Sequence, residues 1–289
     1  MNRRLPAFIS TISNSFCDFT LDFAVNKYNM YSVLFGTAVG SFIIQLIYGI
    51  ITGFTITPTS IIFIIINGLS LLLGYTLYVQ SLKRLPVSLT GLIESGNLFA
   101  YLFIDYFCGF LEINAWFIFL FLCFIFSIFL FSSDTYKQKD ENNIKKIKFS
   151  GIFILLLSMF FYGLEPYLIQ FANNNGANEV AINFGYYLFA IPFFLIMMIK
   201  HSKDNLKEQQ NKKGLVKFIL LISFFEAIYY LFGTIGYAND AAIINAIIQE
   251  IRVFLLFILS ILFGTDKITL KKAIAMVIGI LSVLGIYLY

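Results

Sequence analysis

Asn14, Asp18 and Asp22 recur every four residues inside an otherwise apolar stretch, which puts all three on one face of a helix. Thr90, Glu94 and Asn97 form a second polar stripe, and Asn245, Gln249 and Arg252 a third. Glu165 stands beside Pro166, whose missing N–H loosens helical hydrogen bonding locally. Glu226 is followed closely by Tyr229 and Tyr230. Ionisable groups at mid-membrane depth cost about 2.5–3.5 kcal/mol each on insertion scales, so each needs a reason. The chemistry such a set can perform is binding. Asp18, Glu94, Glu165, Glu226 and Glu250 set five carboxylates against the single guanidinium of Arg252, a balance that suits a cation. Tyr78, Tyr162, Tyr186 and Tyr229 could offer ring faces to an ammonium group, worth about 0.5–2 kcal/mol each. A carboxyl withdrawn from water holds its proton more readily, which makes Glu94 and Glu165 the candidates for proton coupling.

Other readings of these residues stay open. Arg252 could grip the carboxylate of an amino acid or other zwitterion, or it could neutralise Glu226 or Glu94 as an internal ion pair. Asp22 and Asp105 lie near the ends of their stretches, where reaching the interface is cheap, and read as structural. Glu250 is two residues from Arg252, cannot share its helix face, and reads as a helix-contact residue.

Catalysis has little to stand on. His201 is the one histidine, and the sequence holds no His-Glu-x-x-His pair, nucleophile elbow or P-loop. Cys17, Cys108 and Cys123 have spacings that suit neither zinc nor a disulfide framework. Asp18 and Asp22 lack the further acids that a metal–diphosphate site requires. The expectation is therefore no enzyme, no cofactor and no metal. A membrane enzyme or scaffold is the alternative from another class.

The elements that position these residues follow from composition. Of 289 residues, 59% are hydrophobic, 18% aromatic and 12% charged. A soluble domain carries roughly 25% charge, so much of this surface must face lipid. Ten stretches are long and apolar enough to cross a hydrocarbon core about 30 Å thick. They are 5–26, 30–52, 59–82, 86–107, 113–133, 149–172, 179–200, 215–237, 240–263 and 269–289. Each is continuously apolar rather than alternating, which predicts helices and not a barrel: an all-α polytopic membrane protein. The opening Met1-Asn2-Arg3-Arg4 and its apolar run imitate a signal peptide. Asn14, Asp18 and Asp22 interrupt that run, and it reads as the first span.

Basic residues crowd the odd-numbered connections and their flanks: Lys27, then Lys83 and Arg84, then the runs at 137–148, 200–217 and 267–272. The even-numbered connections hold none. This bias places the odd loops in the cytoplasm and both termini outside, in what the composition suggests is a bacterial inner membrane. The net charge of +4 is spent on membrane-flanking loops and says nothing about nucleic acid. The expected partners are a bilayer and a small-molecule substrate, with a proton or cation as possible coupling ion.

The chain also repeats. A shift of 155 residues lays Tyr75 on Tyr230, Ile93 on Ile248, Phe99 on Phe254, Gly109 on Gly264 and Ile113 on Ile268, with coincident span boundaries. The same shift lays Thr90, Glu94 and Asn97 on Asn245, Gln249 and Arg252. This divides the chain into residues 1–133, a polar basic loop 134–148, and residues 149–289. Five spans per half is an odd number, so the second copy enters from the opposite side. Two such halves could enclose a shared hydrophilic chamber and open it to each side in turn.

Several turns carry a family likeness. Leu82-Lys83-Arg84-Leu85-Pro86-Val87-Ser88 has its counterpart in Tyr237-Ala238-Asn239-Asp240-Ala241-Ala242. Gly109-Phe110-Leu111-Glu112-Ile113 matches Gly264-Thr265-Asp266-Lys267-Ile268, and Gly279 and Gly285 lie near the end. With its ten spans, the chain resembles the EamA-type members of the drug/metabolite transporter superfamily. The resemblance implies transport of small metabolites such as amino acids, amines, nucleotide sugars or drugs. It departs from the family pattern at Ser95 and Glu250, where a proline is usual, and in the closing glycines, which stand one residue nearer than usual.

Overall fold

The computed structural model describes residues 5–97, 99, 103, 106–107, 114–137, 148–201, 212–238, 242–265, 267 and 269–285. Regular structure among them is helical throughout, in ten helices. These are α1 (Leu5–Lys27), α2 (Met30–Thr52), α3 (Pro58–Leu82), α4 (Val87–Glu94) and α5 (Ala115–Lys137). They continue as α6 (Phe149–Asn174), α7 (Glu179–Lys200), α8 (Lys212–Ala238), α9 (Ala242–Leu262) and α10 (Leu270–Gly285). Six of them, α2, α3, α5, α6, α7 and α8, are long and apolar enough to cross a membrane. Of the others, α1 has its apolar run diluted by Asn14, Asp18 and Asp22.

The polarity is inverted relative to a water-soluble protein. Large apolar side chains such as Ile51, Phe107, Phe129 and Phe153 are exposed, while Asn14, Asp18, Gln45, Asn67, Glu94 and Glu226 are buried. A surface this apolar has no stable home in water, and its burial in lipid follows.

Packing divides the chain into two compact units, Met1–Tyr75 with Glu165–Gln249, and Thr76–Leu164 with Glu250–Tyr289. Each unit draws on both halves of the sequence. This partition by contact is separate from the partition by similarity.

In the first unit α8 packs on α1 and α2, and α2 also packs on α7. Asn29 caps α2 by accepting from the Tyr31 and Ser32 amides at 2.8 and 3.3 Å, and Asn178 caps α7 through the Ala181 amide at 3.1 Å. Asn178 also donates to the Gly53 carbonyl at 2.8 Å, fastening the α6–α7 turn to the α2–α3 loop. Gly53 ends α2 at φ +90°, a conformation open to glycine. Where α3 crosses α7, a Cβ on Gly68 would strike the Gly185 carbonyl, and one on Gly185 would strike the Ile64 carbonyl. Backbones this close require glycine on both helices.

In the second unit α10 lies on α5 and α4, with Gly279 against Leu92 and Ser127 and Gly285 against Leu120. Phe99 sits among Phe117, Phe121 and Phe124 at centroid distances of 5.7, 5.3 and 5.1 Å. Two sequence expectations change here. The fourth span, expected to run unbroken over 86–107, is interrupted by a turn at Ser95 and Gly96, and the described residues beyond it, Asn97, Phe99, Phe103, Tyr106 and Phe107, are again helical. Ser95 donates its hydroxyl to the Leu92 carbonyl at 2.7 Å, Gly96 donates its amide to Ile93 at 3.0 Å, and the bare Gly96 lets Phe124 and Met159 in. Glu94 and Asn97 lie on either side of this turn. Lys272, grouped with the loop charges, is fully buried, its ammonium 5.4 Å from the centre of the Phe131 ring. Beside it Thr269 donates its hydroxyl to Asp134 and accepts the Lys272 amide, tying α10 to α5.

Candidate functional site

A seam of small residues builds the site in the first unit. Gly36, Thr37, Gly40 and Ser41 of α2 face Ile219 and Ser223 of α8, where a Cβ on either glycine would collide with those side chains. The close approach brings Ser41 onto Glu226, one helical turn beyond Ser223. Ser41 donates to Glu226 Oε2 at 2.6 Å, and its oxygen also lies 3.1 Å from the Ser223 carbonyl. Tyr75 reaches toward the same carboxyl from α3. Glu226 is 1% exposed, and its Oε1 has no well-formed hydrogen bond among the described residues. No basic side chain pairs with it among them.

Tyrosines surround this carboxylate. Tyr186 and Tyr187 of α7 and Tyr230 of α8 have ring centroids 5.1, 5.3 and 6.5 Å apart pairwise, and Tyr75 lies 6.1 Å from Tyr186. Tyr229 stacks obliquely on Tyr230 at 4.9 Å. Gln45 donates its amide to the Tyr187 hydroxyl at 3.3 Å and to the Ala227 carbonyl at 3.4 Å. Thr234 donates to Asn183 Oδ1 at 2.7 Å. Gln45 Oε1, Asn183 Nδ2 and the Tyr186 hydroxyl are buried without hydrogen-bond partners among the described residues, as are both polar atoms of Asn67 on α3. Buried polar groups are ordinarily satisfied, so each of these atoms has capacity left for a further hydrogen bond.

The second unit holds a different arrangement. Arg252 on α9 binds Glu94 on α4 at 2.6 Å, and both are buried. Thr90 turns its hydroxyl back to the Pro86 carbonyl at 3.0 Å, Asn97 is half-buried, and Tyr78 meets Tyr162 edge to face at 6.4 Å. Of the internal ion pairs open to Arg252, the one with Glu94 is formed.

The remaining sequence candidates fall as follows. Asn14 and Asp18 on α1 and Glu165 on α6 are buried members of the first unit. Asp22 accepts from Asn26 at 2.9 Å, a local contact near the end of α1 that suits a structural residue. The side chains of Asn245, Gln249 and Glu250 lie outside the described residues, as do Asp105 and Glu112. The sequence reading took Glu226, Tyr186 and Tyr229 but missed Ser41, Gln45, Tyr75, Asn183, Tyr187 and Thr234 as site members, and noted Tyr230 near Glu226 and in the repeat without assigning it to the site. A signal existed: Glu226, Tyr230 and Thr234 stand four apart on α8, as do Asn183 and Tyr187 on α7 and Ser41 and Gln45 on α2. These stripes are mostly uncharged, and a search led by charge passes over them.

Residues 149–288 match the EamA-like transporter family. EamA-like transporters are part of the drug/metabolite transporter superfamily, so these residues are similar to membrane transporters of that type. Twenty-six chains of solved structures match as well. One, titled only as the crystal structure of a protein, superposes with a TM-score of 0.61 at 14% identity over 98% of this chain and 96% of that one. At that identity the likeness speaks for the fold alone. No curated protein matches the chain. Together, the helices, the apolar exterior and the EamA-like half describe a multi-pass membrane protein.

Proposed function

We propose that the protein is a secondary active transporter of a small organic cation or amine, with Glu226 as the group that holds the positive charge. One observation carries this reading. A carboxylate is buried in the membrane-spanning part of the molecule among four tyrosine rings, with a hydroxyl donor and no basic partner among the described residues. An anion so placed is stabilised by a proton or by a cation, and ring faces favour the second when the cation is an ammonium. Tyr75 and Tyr230, which the 155-residue shift aligns, flank the same Tyr186 ring at 6.1 and 5.3 Å, in keeping with two related halves serving one substrate. In this reading the halves are inverted five-helix repeats that work by alternating access, with odd loops in the cytoplasm of a bacterial cell and both termini outside.

For the zwitterion reading, Arg252 would have to be available to a substrate carboxylate. Its ion pair with Glu94 weighs against that. The same pair makes Glu94 a weaker candidate for proton coupling than Glu165, which we assign that role. Uptake of radiolabelled amines into proteoliposomes containing only this chain tests the proposal. Glu226→Gln should abolish uptake. An Arg252→Gln, Glu94→Gln double variant should retain it if the substrate is a simple cation and lose it if the substrate is a zwitterion. Uptake undiminished in Glu226→Gln would overturn the assignment.

A further inference from the structure

An apolar cleft of about 530 Å³ lies in the first unit beside the Glu226 cluster, walled by α2, α3 and α7. Its volume falls within the roughly 300–1,000 Å³ usual for small-molecule sites. Phe42, Ile61, Ile64, Phe184, Tyr187 and Leu188 are among its walls, and none of its lining residues is charged. Gly185, packed against Ile64 at the α3–α7 crossing, is another of the lining residues. Leu188, Ile56 and Ile61 are 66, 53 and 45% exposed, so the cleft opens on the apolar outer surface of the protein.

Tyr187 belongs to both places. It is one of the cleft's lining residues, while its hydroxyl accepts from Gln45 and neighbours Ser41, the donor to Glu226. Tyr187 thus links a hydrocarbon-lined cleft at the apolar surface to a carboxylate that has no counterion among the described residues.

We infer that the transported cation is amphiphilic, with its ammonium head held at Glu226 and its alkyl tail lying in this cleft behind Tyr187. This inference rests on the reading of Glu226 given above and narrows the substrate class. The occupant follows from complementarity at both ends. The lining is uncharged and mostly hydrocarbon, and through Tyr187 and Ser41 it adjoins a carboxylate that favours a positive charge. The alternative occupant, a lipid acyl chain with no role for Glu226, leaves the charged end of the arrangement unexplained.

Physical chemistry constrains the test. A tail moving from bilayer or micelle into an apolar cleft gains packing but little hydrophobic free energy, because both surroundings are hydrocarbon. Chain length alone therefore proves nothing, and the informative comparison is between variants in one solvent. Tetramethylammonium and decyltrimethylammonium binding would be measured on the full chain in neutral maltoside micelles. Leu188→Trp and Ile61→Trp fill the cleft from exposed positions, which spares folding, and Glu226→Gln removes the charge.

The expected result is that either tryptophan lowers decyltrimethylammonium affinity about tenfold and leaves tetramethylammonium within about twofold, while Glu226→Gln removes both. If the tryptophan variants bind decyltrimethylammonium like the parent, the cleft holds no tail, and the inference falls while the Glu226 reading stands. If the tryptophan variants lose both probes in proportion, the cleft is part of the fold and not of recognition, and the inference again falls. If Glu226→Gln binds both probes like the parent, or if the parent binds neither, the reading of the site and the inference fail together.

Discussion

Glu94 and Glu226 are both carboxylates buried in apolar helices, and the two units treat them differently. Glu94 has the guanidinium of Arg252 at 2.6 Å. Glu226 has a serine hydroxyl at 2.6 Å, tyrosine rings around it, and no cation among the described residues. Removing an ion from water costs several kcal/mol, and a charge of opposite sign in contact offsets much of that. Glu94 is therefore already balanced and has little to offer a ligand. Glu226 is solvated only by dipoles, so a cation from outside still gains by binding it. Within this molecule, the presence or absence of an internal counterion separates a structural charge from a functional one. The sequence repeat sharpens the point. The residue 155 positions before Glu226 is Leu71, fully buried, so this carboxylate has no repeat-related equivalent.

Four changes would break or refine the contrast. The largest effect belongs to the paired site. Arg252→Leu leaves Glu94 buried without its counterion and should cost about 3–5 kcal/mol of stability. Thermal unfolding in micelles would show it, and adding Glu94→Leu should recover most of the loss. Equal stability of the single and double variants would mean that the pair is not what Arg252 is there for.

Glu226→Gln should behave in the opposite way. Cation affinity falls about a hundredfold, roughly 2.8 kcal/mol, while stability stays within about 1 kcal/mol of the parent. A stability loss as large as that of Arg252→Leu would make Glu226 a structural charge and erase the contrast. Ser41→Ala comes next. It removes the hydroxyl donated to Glu226 and should cost about 1.5–2 kcal/mol, the lower part of the range for hydrogen bonds to a charged group. In the Glu226→Gln background the same change should cost about half as much, and the cycle of four melting curves measures the difference. The smallest effect is aromatic. Tyr230→Leu should weaken cation binding by about 0.5–2 kcal/mol and Tyr230→Phe by less, whereas Tyr162→Leu in the other unit should leave it unchanged.

The fold was largely legible in the sequence because its signals are local. Runs of apolar residues mark helices wherever they occur, and the described helices fall on the expected spans, with six of them long and apolar enough to cross a membrane. The turn inside the fourth span escaped the sequence for a local reason too. Ser95 and Gly96 look harmless in an apolar run, and only their neighbours Phe124 and Met159 reveal why the helix turns there. The site was half legible. Charge drew attention to Glu226 and Arg252, but the seam of Gly36, Gly40 and Ser41 that lets α2 touch α8 is ordinary in composition.

By itself, then, the sequence determined that this protein lives in lipid, that it is built of helices, and that its buried charges need a purpose. Each of these depends on residue type and spacing along one segment. Only the tertiary structure decided which carboxylate keeps a counterion. Ser41 meets Glu226 across 185 residues, and Arg252 meets Glu94 across a comparable stretch. Electrostatic balance at a buried group is set by what lies within a few ångströms, and in a folded chain those neighbours come from distant helices.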